Sequence, residues 1–121
     1  MLDLLQTAYL PPRRLIGSVL VTSRCSDAHT WQGLGVAEPL HLEPLPQRDS
    51  CVLLLRRAQG VALAGKPHTE IVAQIDAMED AEREAVHRIA EEQLGGLPLA
   101  LEQAGAYLSR CDPPMSFVDF A

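Results

Sequence analysis

Seven residues near the end of the chain, Gly95-Gly96-Leu97-Pro98-Leu99-Ala100-Leu101, leave the backbone few choices. Paired glycines supply the left-handed conformations that end a helix, and proline is best tolerated in a helix's first turn, where its missing N–H has no intrahelical partner to lose. The string reads as a helix stop, a rigid turn and a helix start, leaving an apolar corner against which a flat ring can lie. Residue type alone also allows a plain tight connection between two packed helices.

Both flanks carry the matching periodicity. Over residues 80–94 the spacing of Val86, Ile89, Ala90 and Leu94 predicts an amphipathic helix, with the acidic run 79–84 at its start, where carboxylates favour the positive end of the dipole. Beyond the turn, Leu97, Leu101, Ala104, Gly105 and Leu108 form the apolar stripe of the next helix, and Gly105 permits close packing. Asp112-Pro113-Pro114 then breaks the chain, and residues 115–121 read as the opening of one more helix, cut short.

Upstream, Asp49 or Ser50 is placed to cap a helix carrying Cys51, Val52, Leu53, Leu54, Leu55 and Ala58, which Gly60 closes. Gly65-Lys66-Pro67 is a turn, followed by a weaker stripe of Ile71, Val72 and Ile75. At the front, Leu2, Leu4, Leu5 and Tyr9 predict a short helix ending near Ala8, stopped by Pro11-Pro12. The apolar run from Leu15 to Thr22 reads as a strand covered on both faces, placed at residues 18–22. Residues 24–38 read as a loop or short irregular helix, and residues 39–42 as a second strand laid parallel to the first.

A strand running into Thr22-Ser23-Arg24 would put hydroxyls and a guanidinium at the carboxyl edge of a sheet, where open α/β folds bind ligands. Arginine suits a terminal phosphate because its planar fork donates two parallel hydrogen bonds and stays charged. On residue type alone, Arg24 reads more readily as an ordinary surface arginine after a strand.

Composition narrows the partners. The 121 residues are 47% hydrophobic but only 4% aromatic, so the core must come from Leu, Ala, Val and Ile, which favours helices. The net charge of −6 is uneven, with four bases against eleven acids in residues 61–121. Such a surface repels phosphate backbones, and nucleic acid is not an expected partner. No apolar run approaches the roughly 18 residues of a membrane span, so no membrane partner is expected either. Cys25, Cys51 and Cys111 are an odd number at wide spacing, which fits a reducing compartment and a cytoplasmic location. Cys25 and His29 lack the tighter paired spacing of zinc ligands, and no metal site is expected. His41, His68 and His87 stand isolated.

The order of strand-Thr-Ser-Arg, then Leu40-His41-Leu42-Glu43-Pro44-Leu45, then a leucine-rich helix, then Gly-Leu-Pro-Leu-Ala resembles the NB-ARC family of STAND signalling ATPases over about residues 2–119. The resemblance implies the distal part of a nucleotide-binding domain. Residues 1–46 would be the end of a P-loop-type parallel α/β sheet with one or two strands, residues 47–112 a helical ARC1-like subdomain, and residues 113–121 the start of a truncated helix. Arg24 would sense the terminal phosphate of ATP, with Thr22 positioning it; Gly96, Leu97 and Pro98 would pack on the adenine side of bound ADP.

The same resemblance implies ADP and ATP as ligands, with magnesium only in a complete domain. Partners would be a missing N-terminal phosphate-loop segment or other domains of the same protein, and further copies on activation. The sequence contains no G-x-x-x-x-G-K-[ST], so hydrolysis by this chain alone is not expected. The competing reading is a non-enzymatic helical adaptor or relic, whose leucine-rich faces dock on a partner.

Overall fold

Among the described residues, helices form wherever the 3.6-residue period is clear, and the core is built where their apolar stripes meet. The computed structural model describes residues 18–36 and 38–121, and the chain divides into two units, Met1–Leu42 and Glu43–Ala121.

In the second unit, α2 (Gln47–Gln59) buries Cys51, Val52, Leu54 and Leu55 and ends at Gly60, whose φ of 44° suits a residue without Cβ. A 3₁₀ turn (Gly60–Leu63) seats Leu63 in the core. Helix α3 (His68–Asp76) contributes Ile71 and Ile75, one turn apart on one face. Helix α4 (Asp80–His87) then runs without a break into a π-helical turn (Arg88–Gln93), together burying Ala85, Val86, Ile89 and Ala90. Helix α5 (Pro98–Arg110) follows the glycine turn, and the four-residue α6 (Phe117–Phe120), capped by Ser116, inserts Phe117.

The most extensive pairing is α2 on α5. Leu54, Leu55 and Leu101 are fully buried, each contributing about 1.5–3 kcal/mol of burial free energy. The approach is close enough that a Cβ on Gly105 would lie 2.5 Å from Arg57 Cβ and 3.1 Å from the Leu54 carbonyl oxygen. Arg57 Nε reaches Glu102 across this pair at 3.1 Å. Arg83 Nη1 donates to the Asp76 and Met78 carbonyl oxygens at 3.1 and 3.2 Å, satisfying acceptors that the end of α3 leaves open.

The parallel sheet expected in residues 1–46 does not appear: among the described residues there is no strand. Residues 18–22 and 39–42 lack both helix and strand pairing, and Val19, Leu20, Leu40 and Leu42 are exposed. A run of branched apolar residues becomes a strand only when a neighbour takes its N–H and C=O groups, and no described segment does so. The α/β assignment is therefore corrected to a helical architecture, with α1 (Ala28–Gly33) the regular element among the described residues of the first unit. The helix expected over residues 2–8 lies outside the described residues.

Three local expectations also shift. Asp49 and Ser50 are not the cap of α2, which begins at Gln47 behind Pro46; Asp49 sits in its first turn and Ser50 points inward. Leu97 is exposed at the corner rather than buried in the α5 stripe. The helix after Asp80 changes to π geometry at Arg88, a change that the apolar spacing does not encode.

Candidate functional site

The corner at residues 95–99 is held by backbone chemistry. The Gly95 and Gly96 amides donate to the carbonyl oxygens of Glu91 and Ala90, each at 2.9 Å, and Leu97 N–H donates to Leu94 O at 3.1 Å. Both glycines take left-handed conformations, with φ of 59° and 65°. Leu97 is the N-cap of α5, Pro98 its first residue, and no side chain caps that first turn. The result is a firmly held turn presenting Leu97, 54% exposed, Pro98 and Leu99, 71% exposed.

A brace from the chain entering α2 fixes this turn from behind. Leu45 N–H donates to the Gly96 carbonyl at 2.8 Å, and the Ser50 hydroxyl donates to the Leu45 carbonyl at 3.1 Å. A Cβ on Gly96 would lie 2.6 Å from Leu45 O, 3.2 Å from Ser50 Oγ and 3.3 Å from Leu45 N, so only glycine fits there. Sequence reasoning missed the brace, although its signal was present as a serine on an otherwise apolar helix face next to Cys51, Val52, Leu54 and Leu55.

In the first unit Thr22 and Arg24 are both exposed, and neither Thr22 nor Arg24 has a hydrogen-bond or ion-pair partner among the described residues. Arg24 sits in a bend whose far side is tied down: Cys25 N–H donates to Ser23 Oγ at 3.0 Å, and Trp31 Nε1 donates to the Cys25 carbonyl at 2.9 Å. Asp27 caps α1 by accepting from the Thr30 hydroxyl at 2.5 Å and the Thr30 amide at 3.1 Å. These bonds hold its carboxyl below the ordinary range, the hydroxyl contributing most. The five residues predicted for a site thus divide into Thr22 and Arg24 on one unit and Gly96, Leu97 and Pro98 on the other.

Elsewhere in the second unit, α2, α3 and α4 line a cavity of about 280 Å³ whose walls include Arg48, Cys51, Ile75, Asp76 and His87. Cys51 Sγ lies 3.4 Å from His87 Nδ1. Burial, and secondarily the Glu91 carboxylate, push the thiol up to about 11, so at neutral pH Cys51 is protonated and a poor nucleophile. Among the described residues no three His, Cys, Asp or Glu side chains are arranged to hold a metal ion, and no helix is long and apolar enough to cross a membrane.

Comparison with known proteins finds no family model, curated protein or solved structure that matches the chain.

Proposed function

We propose that the chain contributes nucleotide sensing to a STAND-type switch, with residues 95–99 as the surface that packs against the purine of ADP or ATP. The observation carrying this reading is the corner itself. An apolar Leu-Pro-Leu edge stands at the opening of α5 on a turn that admits no side chain at Gly96. Such an edge suits a flat ring: it offers contact area without charge, and its braced backbone loses little entropy on binding. Proline is central because its fixed φ and missing N–H keep the surface apolar and stiff.

Arg24, on the first unit, carries a separate part of the proposal, the sensing of a terminal phosphate. A guanidinium with no hydrogen-bond or ion-pair partner among the described residues is suited to a terminal phosphate, and a charge-assisted bond worth about 1.5–3 kcal/mol biases a two-state element by roughly ten- to hundredfold. ADP and ATP would favour different states through that one contact. Hydrolysis is not part of the proposal, since no phosphate-loop motif occurs in the sequence. The proposed setting is the cytoplasm, where nucleotide is abundant and thiols remain reduced.

Calorimetric titration of ADP and ATP with magnesium tests the reading, using this chain and a version extended upstream through a phosphate loop. Saturable binding by the extended protein supports the switch; binding by neither refutes it and leaves the helical adaptor. In the extended protein Arg24→Ala is expected to weaken ATP binding more than ADP binding, and equal losses would refute the sensor role.

A further inference from the structure

The segment leading into α2 reads Glu43-Pro44-Leu45-Pro46, and proline has no N–H. Between residues 44 and 46 only Leu45 can donate a backbone hydrogen bond, and it donates to Gly96. Its carbonyl accepts from Ser50, the one buried polar side chain among the described residues, at 0% exposure. Leu45 also packs its side chain against the core. Each polar group of one residue is therefore committed, one to the corner and the other to a hydroxyl on α2.

We infer that Ser50 is a positioning residue for the Gly96-Leu97-Pro98 surface, acting through the Leu45 backbone. The inference rests on the purine reading given above for what that surface binds. Ser50 touches no ligand. It orients the Leu45 peptide so that its N–H meets Gly96, and Gly96 is where the turn has no room to shift. Without the hydroxyl, Leu45 O loses its partner in a half-buried place, and the 43–46 segment is held to α2 through the Ser50 amide's bond to the Pro46 carbonyl and to the turn through Leu45 N–H alone. The corner would then sample orientations in which the apolar edge no longer presents one face to a ring.

Two measurements on Ser50→Ala separate positioning from general stability, with Cys51→Ala as the packing control on the adjacent buried position. The first is native-state amide exchange. Ser50→Ala is expected to speed exchange at Leu45 by about tenfold beyond any change at Leu54 and Leu101, whereas Cys51→Ala moves all three together. The second is ADP titration of whichever form binds, chain or extended protein, where Ser50→Ala is expected to weaken affinity about fivefold or more and Cys51→Ala to leave it within about twofold.

Leu45 exchange that changes only in step with the core overturns the inference, as does selective loosening with unchanged ADP affinity. If neither unsubstituted form binds ADP, the purine reading and the positioning role built on it both fall. Selective exchange at Leu45 would then stand only as a structural tie.

Discussion

Alanine at position 96 is the sharpest test of the braced corner, and position 95 supplies its control. Both glycines have left-handed φ, so alanine at either incurs about 1–2 kcal/mol, partly offset by about 0.4–1 kcal/mol from restricting the unfolded chain. Their surroundings differ: a Cβ at Gly95 meets nothing within 4 Å, whereas at Gly96 it would lie 2.6 Å from Leu45 O. Relief requires Leu45 to move away, which gives up its bond to the Gly96 carbonyl at about 1 kcal/mol and disturbs the Ser50 contact at a comparable cost. Gly96→Ala should therefore be less stable than Gly95→Ala by about 2 kcal/mol. In urea unfolding followed by circular dichroism, with a slope of about 1–2 kcal/mol/M, the two midpoints should separate by about 1 M or more. Coincident midpoints would show that the brace does not constrain the turn.

Other consequences follow from the core and the buried Cys51 thiol. Gly105→Ala gains about 0.5–1 kcal/mol of helix preference but forces α2 and α5 apart, so a net loss of about 1–2 kcal/mol is expected in thermal unfolding, and a gain would contradict the close approach. Leu54→Ala, at a fully buried position, should cost about 2–5 kcal/mol by the same assay, with a loss under about 1 kcal/mol contradicting its place in the core. Because the folded Cys51 thiol titrates at about 11, above its unfolded value, the folded state holds its proton longer. That stability is fully present below the unfolded value, near 9.0, and is lost as pH rises towards 11; Cys51→Ala should remove this alkaline dependence, measured by urea midpoints from neutral pH to pH 10.5. Iodoacetamide at neutral pH should label Cys25 and Cys111 well before Cys51, read by peptide mass spectrometry.

The helical half was legible because its signals are local. Gly60, the glycine pair at 95 and 96, and Pro98 mark helix ends through backbone properties of the residues themselves, and stripes such as Val86, Ile89 and Ala90 report one buried face. The strand expectation failed for the complementary reason. Val19, Leu20 and Val21 have strand character, but a strand is completed by its neighbours, and among the described residues no segment pairs with them. Ser50 illustrates a third case. Serine near the start of a helical run reads as a cap, yet Pro46 already precedes the first turn, and the apolar face around Ser50 turns its hydroxyl inward to Leu45. The corner was readable as a turn from Gly95 to Pro98, but its brace joins residues 45 and 96, a separation that no local pattern reports.

Amide chemical shifts recorded while ADP with magnesium is added to the protein extended through a phosphate loop test the central claim most directly. The account predicts saturable shifts at Gly95, Gly96, Leu97 and Leu99, extending to Leu45 through its bond to Gly96. Saturable binding that leaves these amides unmoved would contradict it.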